Sequence, residues 1–411
     1  MIIKDFFIAC WLSFKQTTRN NKKSVAMTIL VVALLFINIL FVSSMISGLI
    51  SLVNGQLISY QYGNIVIEPN KDSANSIYIK QADKKLGEIR NVTGVVGAVK
   101  HYKSGALITF DHDKDGKDIK NGNWYLYSVE PSEEVKVLDM KSKIVAGRYL
   151  EDGDRDKIVL GREISGDFGA TFDMKSLGGA KPGDKVQVYY PNGISRKYEV
   201  AGIFATKNFL ADAQAYVTND EMEDILGQHD LADEIIVKTA TTGDEDKYVL
   251  KIKNVVDEDL KYYPWSKYTG ALSTAITSFE FIKFIFYTIG LAVSGASIFI
   301  IIYIDLINQR KQIGILRAIG MKSKIIVTSY VIQAIFYGFM GVILGKLLME
   351  YAIFPYFVKH PFELPIGSVS LLIENKDTTR TILSMLAVSI VAGFIPSIQI
   401  VKKNILDSIF K

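Results

Sequence analysis

Four uninterrupted apolar runs set the limits on what this chain can become. They cover residues 25–50, 281–304, 325–345 and 381–400 of 411. A helix rising about 1.5 Å per residue needs about 20 residues to cross a hydrocarbon layer about 30 Å thick, and each run reaches that length. A large soluble protein buries such a helix now and then; four of them indicate membrane spans. One span precedes the long segment 51–271 and three follow it. The expected fold is an integral membrane α-helical protein of four transmembrane helices, with a large α+β extracytoplasmic domain inserted between helices 1 and 2.

Basic residues near the spans set the orientation, because short loops rich in Lys and Arg stay in the cytoplasm. Lys4, Lys15, Arg19, Lys22 and Lys23 precede span 1; Arg310, Lys311, Arg317, Lys322 and Lys324 separate spans 2 and 3; Lys402, Lys403 and Lys411 follow span 4. A multi-pass protein of the plasma or inner membrane, with both termini cytoplasmic, is expected. Residues 51–271 and 354–380 then lie outside. The formal charge of +4 divides unevenly: residues 51–271 hold 29 Lys and Arg against 35 Asp and Glu, a net of −6, and the remainder carries +10. Topology and attraction to anionic lipids account for that basic excess. Membrane lipids are therefore expected contacts, and nucleic acid is not.

The apolar run of span 1, about 26 residues, exceeds a usual signal-peptide core and reads as a retained anchor. Phe7-Ile8-Ala9-Cys10 faintly resembles a lipidation box, but no adequate apolar run precedes it. Cys10 is the only cysteine, so no disulfide is expected in the outer domain.

The chain divides into an amphipathic N-terminal helix (1–24), span 1 (25–50), the outer domain (51–271, with a possible subdomain at about 105–205), a stalk and span 2 (272–307), a cytoplasmic helix and loop (308–324), span 3 (325–353), an outer loop (354–380), span 4 (381–400) and a tail (401–411). Phe6, Phe7, Cys10, Trp11 and Phe14 fall at helical spacing on the first element. In the outer domain, strand signals occur at 64–68, 105–110, 124–129, 157–160, 185–190, 197–204, 213–217 and 234–238, and helix signals at 82–90, 132–139, 219–226 and 244–255. Pro191-Asn192-Gly193 reads as a turn joining two antiparallel strands.

Few residues suggest chemistry. No Walker A sequence is present; the residues from Gly341 to Lys346 have the wrong spacing and no Ser or Thr after the lysine. Gly341 and Gly345 form GxxxG inside a span, with Gly338 one turn earlier on nearly the same side, a pattern that lets helices approach closely. Glu280 and Lys283 sit one turn apart at the outer edge, and Lys346 and Glu350 suit edge anchoring better than an intramembrane relay, which no other intramembrane acid or histidine supports. Asp111, Asp113 and Asp115 with Gly116 resemble the start of an EF-hand loop. The twelfth position is Gly122 rather than a bidentate Glu, so the segment reads as a hairpin loop, with calcium as the alternative. The four histidines show no metal-ligand spacing, and no catalytic set is expected.

The segment 308–320 is the most telling. On a helix Ile313, Leu316 and Gly320 share one face and Arg310 and Arg317 another, with Gly314 and Gly320 permitting close approach or a turn. This is the pattern of a helix offered to a cytoplasmic partner. The segment resembles the FtsX-like/MacB-type permease family of ABC transporters, in which a pattern like E-R-x-x-E-I-G-x-L-R-A-x-G follows span 2. Ile313-Gly314-Ile315-Leu316-Arg317-Ala318-Ile319-Gly320 matches its core, and Ala392-Gly393-Phe394-Ile395-Pro396-Ser397 resembles the family's A-G-x-x-P-A ending of span 4. The layout of one span, a large outer domain and three more spans also fits.

The resemblance implies a non-catalytic permease paired with a second copy, identical or related, and bound to separate ABC ATPase subunits that use ATP and Mg; a membrane-fusion protein is a further possible partner. The helix would be the coupling helix. Arg310, Lys311 and Arg317 would be its charged contacts, Ile313 and Leu316 its apolar anchors, and Gln312, Gly314, Ala318 and Gly320 its remaining positions, so Leu316→Asp is expected to uncouple or detach the ATPase while leaving membrane insertion intact. Gly338, Gly341, Gly345, Gly393 and Pro396 would pack the spans. Asn308 and Gln312 stand where the family commonly has acids and Gln309 where it has Arg. The implied activity is mechanical transmission that exports or extracts an amphiphile, lipoprotein or peptide at the outer face. The alternatives are a cargo-free transducer that activates an external hydrolase, and a stand-alone membrane-anchored sensor or enzyme.

Overall fold

The computed structural model describes residues 2–19, 22–70, 77–112, 116, 118–170, 175–256, 259–268 and 271–401. They form two compact units. One comprises Met1–Ser51, Ala275–Phe362 and Ser368–Lys411; the other comprises Leu52–Thr274 and Glu363–Gly367. The chain begins with α1 (Ile2–Arg19), α2 (Lys22–Leu57), β1 (Ile65–Pro69), α3 (Ala82–Arg90), β2 (Val95–His101), β3 (Lys103–Asp111), β4 (Ile119–Val129) and α4 (Pro131–Val137). Then come β5 (Ile144–Gly147), β6 (Lys157–Gly161), β7 (Lys185–Tyr189), β8 (Ser195–Phe204), β9 (Gln214–Thr218), α5 (Asn219–Leu226), β10 (Glu234–Thr239), α6 (Glu245–Lys253) and β11 (Leu260–Pro264). Last are α7 (Ala271–Asn308), α8 (Arg310–Ala318), α9 (Ser323–Leu348) and α10 (Asn375–Val401).

In the first unit, α2, α7, α9 and α10 lie in the four helical stretches long and apolar enough to cross a membrane. Their inward residues recur three or four apart: Val32, Phe36, Ile39 and Leu40 on α2; Ile298, Ile302 and Leu306 on α7; Tyr330, Ala334 and Tyr337 on α9. The outward residues are apolar too, including Phe281, Phe284, Phe339 and Leu383. A helix apolar on every side is at home only where its surroundings are also apolar, which here is lipid. Against α9 lies α1, with Ala9, Leu12 and Ser13 buried and Phe6, Phe7, Trp11 and Phe14 exposed. Lys15 Nζ stands 4.8 Å from the centre of the Trp11 ring. An aromatic face beside a lysine suits the membrane–water boundary.

The second unit is built on two sheets. Strands β11-β1-β10-β2 form an antiparallel sheet, and α3 and α6 contribute Leu86, Ile89 and Ile252 to its core. The larger sheet runs β5-β8-β6-β9-β4-β3-β7, with β7 also paired to β8. That extra pairing closes six strands into a ring and leaves β5 outside it. The long strand β8 makes closure possible: Ser195–Glu199 pairs with β7, and Gly202–Phe204 pairs with β5. Alternate residues fill the ring, among them Ala106, Ile108 and Phe110 of β3, Val186 and Val188 of β7, and Tyr198 and Val200 of β8. Pro191-Asn192-Gly193 joins β7 to β8 as the sequence predicts, with Gly193 at φ +84°.

A buried charge cluster ties this unit together. His101 Nε2 lies 3.0 and 3.1 Å from the two Glu134 oxygens, and Nδ1 lies 3.5 Å from Glu234, which is itself paired with Lys103. His101, Glu134 and Glu234 are all buried. Burial alone would lower the imidazole pKa, but the charge and hydrogen bond of Glu134, with those of Glu234, raise it from 6.5 to about 9. Burial pushes Glu234 up, yet Lys103 and His101 hold it below the usual carboxylate value.

Candidate functional site

The element between the second and third apolar helices, α8, is short and sharply bounded. It begins after Gln309, whose backbone leaves the helical region at φ −100°, ψ 8°. It ends at Gly320, with φ +96°. There Met321 N–H donates to Leu316 O and Gly320 N–H to Arg317 O, both at 3.0 Å. These bonds make a Schellman termination, which favours glycine at the left-handed position and a contact between the flanking apolar residues. Leu316 and Met321 supply that contact, both half-buried against the bundle.

The two faces of α8 differ. Ile313 and Gly314 are buried, and Ile313 belongs to the bundle core. Arg317 Nη1 donates to Val401 O at 2.8 Å, fastening the helix to the end of α10. Facing away are Arg310, Lys311, Gln312, Ala318 and Gly320, together with Ile315 at 52% and Ile319 at 79% exposure. The expected apolar anchors are not the most exposed apolar residues of α8. Ile313 and Leu316 point into the bundle, and Ile315 and Ile319 are the apolar residues α8 presents outward. Leu316→Asp therefore bears on bundle stability before it bears on any partner.

Polar side chains line up behind α8 inside the apolar bundle. Gln333 Nε2 donates to Asp305 Oδ2 at 3.2 Å and to the Tyr337 hydroxyl at 2.7 Å; the Tyr330 hydroxyl donates to Gln309 Oε1 at 3.1 Å. Asp305, Tyr330, Gln333 and Tyr337 are all buried. Sequence reasoning missed this acid among the spans by ending the second run one residue earlier. The spacing of Tyr330, Gln333 and Tyr337 on one stripe of α9 was the available signal.

The glycines mark where helices touch. A Cβ added at Gly341 would stand 2.5 Å from Val32 Cγ1, and one at Gly345 would stand 2.9 Å from Ala33 O, both on α2. A Cβ at Gly338 would meet Ser389 Oγ at 2.4 Å, and one at Gly393 would meet Ala334 Cβ at 2.6 Å, across the α9–α10 contact. Gly338 thus faces a different neighbour from Gly341 and Gly345, although only one turn separates them. Pro396 is buried in α10, where the next residue, Ser397, bonds back to Gly393 O at 2.5 Å.

At the other end of the bundle, Lys283 pairs with Asp377 at 2.5 Å, not with Glu280 as its spacing suggested. Ser47 Oγ accepts from Lys283 at 2.9 Å and Ser43 Oγ donates to Asp377 at 3.0 Å, so three helices share the pair. Lys346 and Glu350 stand 3.6 Å apart, each about half exposed. Of the calcium alternative, Asp113 and Asp115 lie outside the described residues. Asp111 Oδ2 accepts from Gly116 N–H at 3.0 Å, and among the described residues no cluster of three or more metal-ligating side chains occurs.

One comparison with known proteins falls on the region of the apolar helices and α8. Residues 284–405 match the family described as FtsX-like permease C-terminal. The chain is 24% identical over 345 residues to an uncharacterized ABC transporter permease of Methanocaldococcus jannaschii, covering 81% of this chain and 82% of that one. Among solved structures, the extracellular domain of the noncanonic ABC-type transporter YknZ from Gram-positive bacteria matches 49% of this chain and 98% of its own, at 15% identity and a TM-score of 0.33. The periplasmic region of MacB from Actinobacillus actinomycetemcomitans matches 54% and 98%, at 12% identity and a TM-score of 0.37.

Proposed function

We propose that this chain, whose residues 284–405 match the FtsX-like permease C-terminal family, is the non-catalytic membrane subunit of an ABC transporter driven by ATP and Mg on a separate ATPase. The observation that carries the reading is the two-faced α8: one side seated in the bundle through Ile313 and Arg317, the other offering Lys311, Gln312, Ile315 and Ile319. A short helix fixed to two spans and exposing isoleucines among cations and an amide suits docking on a soluble protein. The full coupling set is Arg310, Lys311, Gln312, Ile315, Ala318, Ile319 and Gly320 outward, with Ile313, Gly314, Leu316 and Arg317 carrying the load inward. Gly338, Gly341, Gly345, Gly393 and Pro396 keep the bundle tight enough to move as a body.

Residues 1–24, 308–324 and 401–411 face the cytoplasm in this reading, and 51–271 and 354–380 face outward, on the strength of the basic residues near the spans. Two permease copies act together. ATP binding and hydrolysis shift their outer domains and thereby export or extract an amphiphile, lipoprotein or peptide. The large outer domain favours handling a cargo over signalling alone. A membrane-fusion protein is a further partner where a second membrane must be reached.

The test is co-purification with the ATPase from the native membrane. Ile315→Asp puts a charge in the docking contact and leaves the bundle face untouched. It should weaken ATPase retention at least tenfold, since an unpaired buried charge costs several kcal/mol, with membrane insertion intact. Failure of any ATPase to co-purify with the wild type, or full retention by Ile315→Asp, removes the coupling role.

A further inference from the structure

We infer that the cavity beside the first turns of α9 is a binding site for an anionic phospholipid of the leaflet on the α8 side. The inference rests on the cytoplasmic placement of α8 proposed above. The cavity, about 690 Å³, lies between α9 and the end of α10. Its rim carries Arg317, Ser323 and Lys324; its wall carries Val327, Phe394 and Ile398. That is the layout of a lipid: a phosphate-sized anion at the rim and an acyl chain against the wall. Basic pockets between spans on the cytoplasmic side are where anionic headgroups bind.

Charge favours this occupant. A second cavity on the other flank of α9 shares Ser323 and Lys324 and adds Lys322, Phe6 and Asp5. Among the described residues, Asp5 is the only acid lining either cavity, and it is paired with Lys322 at 3.0 Å. Among the described residues, no carboxylate pairs with Lys324, which is exposed on the ridge between the cavities. Phe394 is 48% exposed on a helix that belongs to the apolar spans, so its surroundings at that depth are hydrocarbon. A soluble partner would leave that wall uncovered, and a free anion would leave it without use. The first turn of α9 also lacks both a side-chain cap and an acidic residue, which adds unneutralised amide donors near the cations without carrying the assignment.

The site would give the lipid a place in the transmission path. Arg317 belongs to α8 and already holds the end of α10; Lys324 begins α9. A phosphate between them bridges the partner-facing helix to the third span.

The experiment is lipid retention by native mass spectrometry on the full chain, purified from nanodiscs of phosphatidylcholine doped with phosphatidylglycerol. Wild type should retain phosphatidylglycerol over phosphatidylcholine by about fivefold per engaged cation. Lys324→Gln, an exposed and structurally undemanding change, should lower that preference about fivefold. Val327→Trp, which fills the wall, should lower retention with the rim charges kept. Equal retention of the two lipids by wild type, or an unchanged preference in Lys324→Gln, overturns the site. So does displacement of the lipid by inorganic phosphate alone, which would make the ligand a free anion. Retention that occurs only after residues 402–411 are removed would give the cavity to the chain's own tail and also overturn it. No ATPase is present in this assay, so its failure is distinct from a failure of the coupling reading, which co-purification tests separately.

Discussion

Alkaline pH should destabilise the α+β domain through one side chain. His101 has an ordinary pKa of 6.5 and a folded value of about 9, set by Glu134 and Glu234 against the cost of burial. A raised folded pKa means that protonation favours the fold. The stabilisation is complete below pH 6.5 and is lost as pH rises through about 9. At about 1.4 kcal/mol per unit, that gap is worth about 3 kcal/mol. Neutral His101 would then leave Glu134 buried with its hydrogen bond but without its counter-charge. Glu234, held below its ordinary value, works in the opposite window and matters only on acidification. The assay is urea unfolding of the full chain in detergent, followed by tryptophan fluorescence, below pH 6.5 and above pH 9, for wild type and His101→Gln. The variant should be less stable by about 3 kcal/mol at the lower pH, since buried Glu134 loses its counter-charge while Glu234 keeps only Lys103. The gap should close at the higher pH. Equal pH slopes in the two proteins, or a wild type that gains stability with pH, would refute the cluster's protonated state.

Two further outcomes follow from the bundle. Gly345→Leu must displace Phe36 or the Ala33 carbonyl on α2, and should lower stability in detergent by about 1–3 kcal/mol. Gly55→Ala, where nothing lies within 4 Å, should instead be neutral or gain about 0.5–1 kcal/mol; calorimetric melting separates the two. For the pair Lys283 and Asp377, with side chains 15% and 18% exposed, Asp377→Leu alone should cost about 3 kcal/mol. The double change with Lys283→Met should recover most of it, and a double-mutant cycle showing simple additivity would mean that the pair does not interact.

Local structure was the legible part of this chain. The hairpin of β7 and β8 announced itself through alternation around a Pro-Asn-Gly turn, and α3 and α5 through apolar spacing. Strand β2 was missed because it ends in Lys100 and His101, which read as exposed. Both are buried, Lys100 against Asp83 and Glu223 and His101 against Glu134, and sequence alone does not reveal such partners. Closure of the ring was equally hidden, since it depends on β4 pairing with the distant β9. In α8, the amphipathic pattern was visible but its polarity was not. Ile313, Ile315, Leu316 and Ile319 offer two apolar stripes on one short helix, and only the neighbouring spans decide which stripe they bury. Likewise, Lys283 had a nearby acid in sequence and a different one in space, because its partner depends on which spans are adjacent.

The closed ring in the α+β domain limits how other molecules can use it. Any extended peptide that joins a sheet needs a strand with unpaired amides and carbonyls along one side. Around the ring, each strand has a neighbour on both sides for at least part of its length, and among the described residues only β5 ends the larger sheet. That strand is four residues long, too short to template much pairing. An extended peptide or a protein meeting the ring is therefore read mainly by side chains and loop shape. Recognition would then follow residue chemistry at the exposed positions, and backbone-only mimics, such as generic extended peptides, should compete poorly.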